Sequence, residues 1–185
     1  MKWKRYYHWI RLCMIFGAAK RAEYCRRKGI FASMGKDCRM QGRKIPLYPG
    51  LIRIGNNVKM ASNVSFITHD IIHSMLNSMN DGTVYCEKKG CIEVGDNVFI
   101  GANVSVLYDV KIGSNVIIAA NSLVNKDVPD NVVAGGSPCR VLGDFESFVK
   151  RRREESKDGS ISDACLFEHF DGKHKRDGKV EREKR

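Results

Sequence analysis

The chain has 185 residues, a length that bounds it to roughly one domain with a small appendage, and its 32 Lys and Arg against 21 Asp and Glu leave a net charge of +11. Its 43% apolar residues suffice for one core, but no apolar run reaches the roughly 18 residues of a membrane span, and the short run 12–19 lacks the cleavage site of a secretory leader. Seven irregularly spaced cysteines disfavour a disulfide framework, so a cytoplasmic, reducing location is expected.

The charge is unevenly placed. Residues 1–44 carry a net of +11, residues 45–143 a net of −1 and residues 144–185 a net of +1. These shifts divide the chain into a basic, helical N-terminal segment 1–44, a body 45–143 and a terminal segment 144–185. The neutral body and the lack of any nucleic-acid-binding signature exclude a nucleic-acid partner. Residues 2–28 set Trp3, Tyr6 or Tyr7, Ile10 and Met14 at helical spacing against a basic counter-face, predicting one or two helices. Residues 1–28 suit a peripheral contact with the anionic inner face of a membrane; a helix laid on the body with its bases in water fits equally.

From Val94 the chain repeats every six residues, through Ile100, Val106, Ile112, Ile118 and Val124. A second series follows four residues behind: Val98, Val104, Val110, Val116, Ser122 and Val128. Gly95-Asp96-Asn97, Gly101-Ala102-Asn103 and Gly113-Ser114-Asn115 fall between the anchors, and Ile54 and Met60 begin the same register upstream. The pattern predicts an all-β solenoid in which each unit supplies one short strand with its aliphatic inward. Asn, Asp and Gly take the corners because they tolerate left-handed backbone angles. Three units, 18 residues, close one coil, and coils stack about 4.8 Å apart.

Ile54 and Val94 read as equivalent positions on successive coils, yet they are 40 residues apart. The excess of 22 residues leaves as a protruding loop over 70–91, with a mobile stretch over 74–80. Long loops in compact domains tend to carry function, though a tolerated surface insertion reads the same way. Beyond Pro138, Asp144 is placed to cap a short helix over 145–153, and residues 156–185 read as a charged, mobile tail.

Several segments then carry a resemblance: the hexapeptide run itself, Phe66-Ile67-Thr68-His69-Asp70, the stretch from Asn121 through Lys126 to Pro129, and Val133-Ala134-Gly135-Gly136-Ser137-Pro138-Cys139-Arg140-Val141. Over residues 40–150 the chain resembles the hexapeptide-repeat acyltransferases, nearest the galactoside, maltose and capsular-polysaccharide O-acetyltransferases. The resemblance implies a left-handed parallel β-helix, an exception to the usual crossover hand. It also implies a homotrimer with acetyl-CoA sites between subunits and a carbohydrate acceptor. His69 matches the family's catalytic histidine. Ala102 and Ala120 match positions along the pantetheine arm, and Asn125, Lys126 and Arg140 lie in the segments that hold the nucleotide end. Gln41, Asp70 and His73 are the acceptor-side candidates. Asn125 in place of the usual Thr, and Gly143 where galactoside enzymes often have Arg, turn the expectation away from galactoside itself.

The residues support parts of this by themselves. Ala102 and Ala120 are one coil apart, so they stack at one corner and leave a groove, although corners favour small residues in any case. Lys126 and Arg140 are two of seven bases in the neutral body, suited to phosphates or to water. Histidine is the side chain best matched to taking a proton near neutral pH, and its second nitrogen then needs a carbonyl or carboxylate partner. No cysteine sits beside an activating base; Cys86 and Cys91 read as packing residues. The expected activity is acetyl-CoA-dependent O-acetyl transfer to a sugar hydroxyl, with a surface or capsular polysaccharide precursor as the acceptor class. A small hydroxylated xenobiotic, an amino sugar, or a non-catalytic scaffold are the other readings. A zinc-dependent carbonic anhydrase on the same solenoid needs three histidines at a subunit interface. Here His69 and His73 share one segment while His8, His169 and His174 lie outside the repeats, so no metal is expected.

Overall fold

The anchors of the six-residue repeat all face inward: Val94, Ile100, Val106, Ile112, Ile118 and Val124 are each at most 2% exposed. The computed structural model describes residues 2–156; the charged tail expected from 156 lies outside it beyond Ser156, as do His169 and His174. Each repeat up to Val124 forms a strand of two or three residues before a corner turns the chain. The first sheet consists of β1 (Ser33–Met34), β3 (Ile52–Ile54), β6 (Ile92–Val94) and β9 (Val110–Ile112). The second contains β2 (Arg39–Met40), β4 (Lys59–Met60), β7 (Val98–Ile100), β10 (Val116–Ile118) and β12 (Val132–Gly135). The third contains β5 (Ser65–Ile67), β8 (Ser105–Leu107) and β11 (Leu123–Val124). All of these pairings are parallel.

Register shows how the chain advances. Arg39 stands beside Lys59, Lys59 beside Phe99, Phe99 beside Ile117 and Ile117 beside Val133, steps of 20, 40, 18 and 16 residues. The step of 40 recurs where Ile54 pairs with Val94 and Phe66 with Val106, so a single excursion between β5 and β6 accounts for it. Two asparagine ladders fasten the corners. Asn57 donates to Asn97, Asn97 to Asn115 and Asn115 to Asn131 at 2.9, 3.0 and 2.8 Å. Asn63, Asn103 and Asn121 form the second ladder at 3.1 Å. Every member has φ between 55° and 60°, the left-handed region that asparagine tolerates better than most side chains. Ser122 breaks the aliphatic series yet is buried with its hydroxyl donating to Ala119 O (2.7 Å) and accepting from Gly136 N (3.0 Å).

Three features differ from the sequence reading. Parallel pairing begins at Ser33, inside the segment that composition assigned to the N-terminal arm 1–44, because charged outward residues such as Arg39 hide the inward Met34 and Met40. The stretch expected to be mobile holds a short helix, α3 (Ile72–Asn77). A final strand, β13 (Arg140–Asp144), turns back antiparallel on β12 through the Gly136–Cys139 corner; its residues are exposed, so no inward periodicity announced it.

Two helices precede the sheets, α1 (Lys2–Met14) and α2 (Ala18–Arg27). Their fastening is Arg21, 4% exposed, which donates to Met40 O and Ile15 O at 3.0 Å and to Gln41 Oε1 at 3.4 Å. Leu12, Ala22 and Cys25 are buried, whereas Trp3, Tyr6, Tyr7, Ile10 and Met14 face solvent. Among the described residues no helix is long and apolar enough to cross a membrane. The chain divides into two compact units, one ending at Glu146 and the other beginning at Ser147. The last helix, α4 (Phe145–Glu155), carries an Arg152–Glu155 ion pair at 3.1 Å.

Candidate active site

His69 sits where the chain leaves the third sheet. Gly90 N donates to Thr68 O (3.0 Å), Asp70 N donates to Lys88 O (3.1 Å), and His69 bridges Lys89 antiparallel. The excursion is therefore closed at its base by a short stem, which holds His69 half-buried. The imidazole meets the Tyr48 ring edge-on with centroids 5.2 Å apart. The Tyr48 hydroxyl donates to the Glu87 carboxylate, 2.8 and 2.9 Å from its two oxygens. The Lys89 ammonium lies 3.0 Å from Glu87 and 4.6 Å from the Tyr48 ring centroid. Hydrogen bonds from Lys89 and Tyr48 hold the Glu87 carboxyl below its ordinary range, and Glu87 in turn raises the Lys89 ammonium.

Asp70 is engaged inside the stem. It accepts from the Tyr108 hydroxyl (2.7 Å) and from Ile72 N (3.1 Å), and the Tyr108 bond chiefly holds its carboxyl below the ordinary value. His73 follows on α3. Among the described residues, three buried side-chain atoms have no partner: Thr68 Oγ1, His69 Nδ1 and His73 Nδ1. The carbonyl or carboxylate expected at the second nitrogen of His69 is thus not supplied by the described residues of this chain. Tyr48, Glu87, Lys89 and Tyr108 escaped the sequence reading. Tyr48 reaches Glu87 across 39 residues and Tyr108 reaches Asp70 across 38, and no spacing rule links them.

A second group gathers at the corner after the second sheet. Asn121 N donates to Ala102 O at 2.8 Å, so Ala102 and Ala120 lie on adjoining rungs as their spacing implies. A β-carbon on Gly101 would stand 2.5 Å from Ala120 N, which shows how closely the rungs approach there. Gln41 belongs to this corner too, because Gln41 N donates to Met60 O just as Ala61 N donates to Ile100 O and Gly101 N to Ile118 O. Arg140 pairs with Gly135 at its lower end and is exposed.

Asn125 and Lys126 follow β11 at the other corner, in the column that begins with His69, and both are exposed. One chain therefore presents two groups: His69, Asp70, His73, Asn125 and Lys126 at one corner, and Gln41, Ala102, Ala120 and Arg140 at another. Within one copy Gln41, expected on the acceptor side, lies at a different corner from His69 and is tied to Arg21.

No hydrogen bond ties the thiol of a described cysteine to either group. Cys86 and Cys91, expected to pack, are exposed, because their loop leaves the core. Burial pushes the Cys25 thiol up to about 12 and also raises Cys38 and Cys139, which removes nucleophilic thiolate character. Among the described residues no three His, Cys, Asp or Glu side chains gather as a metal site would require.

The family description "Bacterial transferase hexapeptide (six repeats)" matches residues 92–126. Protein CapG of Staphylococcus aureus is 37% identical over 142 residues, covering 71% of this chain and 75% of that protein. The galactoside O-acetyltransferase of Lactococcus lactis is 35% identical over 147 residues, 65% of this chain and 69% of its own. With two further curated relatives included, the chain spans from 47% to 75% of the relatives' length. Among solved structures, a hexapeptide-repeat acetyltransferase of Vibrio cholerae in complex with acetyl coenzyme A superposes with a TM-score of 0.50 at 26% identity, over 74% of this chain and 82% of that one.

Proposed function

The chain belongs to the hexapeptide-repeat transferase family, and from that premise we propose that it is an acetyl-CoA-dependent O-acetyltransferase acting on a sugar hydroxyl, with His69 as general base. The acceptor belongs to the precursors of a surface or capsular polysaccharide, and the coil winds in the left-handed sense of the family. The observation that carries the reading is the state of His69. It is a half-buried imidazole at the root of the long excursion, braced by Tyr48, with a buried Nδ1 that no described residue engages.

Acetyl-CoA, when bound, supplies the activated acyl group as a thioester. The corner at Ala102 and Ala120 fits its pantetheine arm, because the side chains are small and the rungs lie close. Lys126 and Arg140, with no carboxylate partner among the described residues, fit its phosphates. Asn125 borders the same end. His69 accepts the acceptor hydroxyl proton at Nε2, which requires the resting proton at Nδ1, and later returns it to the leaving thiolate. Asp70 and His73 border the acceptor, and Gln41 serves the groove at its own corner.

The two corners are brought together by a homotrimer in which His69 of one copy faces the Ala102–Ala120 groove of the next. One observation supports this assembly. The outward row of the second sheet runs through Phe99, 45% exposed, Ile117 and Val133, whereas the first sheet carries the charged row Arg53–Glu93–Lys111 at 3.7 and 3.0 Å.

The test is His69→Ala, assayed by thiol release from acetyl-CoA with a panel of oligosaccharides and nucleotide sugars. Loss of a positioned general base lowers turnover by about 10²–10⁴. Acetyl-CoA affinity and the sedimentation coefficient stay those of the native protein. Near-native turnover of the variant on a proven acceptor refutes the assignment.

A further inference from the structure

Tyr48 has a second neighbour besides His69. It forms one wall of a cleft of about 650 Å³ whose lining includes Lys4, Arg5 and His8 of α1, Lys28 just after α2, and Leu47. Among the described residues, no acidic side chain lines this cleft. None of its three permanent cations forms an ion pair among the described residues, although Glu23 and Arg26 on the neighbouring helix do pair. His8 is half-buried, its Nδ1 lies 2.8 Å from the Tyr24 hydroxyl, and its pKa is lowered first by burial and then by the charges of Lys28 and Lys4. Positive charge is thus concentrated in a concavity that shares Tyr48 with the candidate base, and the nearest carboxylate the structure gives to that wall, Glu87 on the Tyr48 hydroxyl, is paired with Lys89.

Such an arrangement selects a multiply charged anion. Arginine presents a planar fork matched to phosphate oxygens, and lysine adds point charges that tolerate varied geometry. A low-dielectric wall such as Leu47 and Tyr48 strengthens both. Tyr48 is common to this cleft and to the surroundings of His69, whose ring lies 5.2 Å from its own. We propose that the acceptor is a glycosyl phosphate or diphosphate, its phosphate group held by Lys4, Arg5 and Lys28. The proposal rests on the reading of His69 as the general base for the place of the sugar, but the phosphate subsite is measurable without any acetyl transfer.

The experiment is calorimetric titration of the full-length protein, without acetyl-CoA, using a hexose, its 1-phosphate, the corresponding hexuronic acid and a nucleoside diphosphate hexose. The same ligands are titrated into Lys4→Gln/Arg5→Gln/Lys28→Gln, which removes the charges but keeps a polar side chain, with circular dichroism and coenzyme A binding as checks on folding. The expected result is at least about tenfold tighter binding of the phosphorylated sugars than of the neutral hexose, about 1.4 kcal/mol, and loss of that advantage in the variant. A polyprenyl diphosphate sugar in micelles separates the two sources: preference for it assigns a lipid-linked acceptor, preference for the nucleotide sugar a soluble one. Equal affinity for neutral and phosphorylated sugar overturns the proposal, as does a uronic acid that matches the phosphate. A variant that loses coenzyme A affinity instead assigns the cleft to the donor and overturns it. A variant that loses only attachment to phosphatidylglycerol vesicles assigns these bases to a membrane, with the same consequence. Phosphate-selective binding with no acetyl transfer counts against the reaction and leaves the subsite standing; transfer without phosphate selectivity does the reverse.

Discussion

Gly101→Ala tests whether the close approach of the rungs at the Ala102–Ala120 corner governs both stability and donor binding. The new methyl would stand 2.5 Å from Ala120 N, 2.8 Å from its Cα and 2.9 Å from Ala119 C, all backbone atoms that cannot rotate away. Restoring ordinary contact requires the rungs to part by about 1 Å. The two hydrogen bonds spanning that seam, Gly101 N to Ile118 O at 2.9 Å and Asn121 N to Ala102 O at 2.8 Å, then exceed bonding distance. Overpacking costs about 1–3 kcal/mol, and each weakened bond adds about 1 kcal/mol. The lower entropy of the unfolded Ala chain returns only about 0.4–1 kcal/mol. A net loss of about 3 kcal/mol corresponds to a fall in Tm of roughly 6–12 °C for a chain of this size. Calorimetry gives this number, with Gly42→Ala as the control, since a β-carbon there meets nothing within 4 Å. If the corner holds the pantetheine arm, the KM for acetyl-CoA rises in Gly101→Ala and not in Gly42→Ala. Equal melting of the two variants refutes the packing argument.

Asn115 stands inside its ladder at φ 56°, bonded to Asn97 and Asn131. Asn115→Gly loses the bonds but keeps the backbone angle, whereas Asn115→Ala adds about 1–2 kcal/mol of left-handed strain; urea unfolding should therefore rank Ala below Gly, and equal midpoints contradict this. The loop stem should also loosen in acid. Asp70 and Glu87 are both held below their ordinary ranges, so their contribution is complete above those ranges and disappears as pH falls through the lower, folded values. Amide exchange of Asp70 and Gly90 should accelerate below about pH 4 relative to Gly101, and a constant ratio down to about pH 2 rules the mechanism out.

The six-residue period was legible because every coil makes the same demand at the same place: an aliphatic inside and a residue tolerant of positive φ at the corner. That repetition disclosed the strands from Ile52 to Val124, the stacking of Ala102 on Ala120 and the single excursion after β5. It also placed His69 at the end of a periodic run, just before the excursion; the family resemblance together with that place, and not the period alone, made it the candidate base. Where a segment makes no periodic demand the sequence was silent. β13 lies with all its residues exposed, and β1 and β2 show too few inward positions to establish a period. The surroundings of His69 were decided only in three dimensions. Tyr48 meets Glu87 across 39 residues and Tyr108 meets Asp70 across 38, pairings that follow from the stacking of rungs and the path of one loop. The basic cleft is of the same kind. Lys4, Lys28 and Tyr48 share a wall because Arg21 binds α2 to Met40, and a charge count along the chain cannot tell a convergent cluster from a solvated helix face.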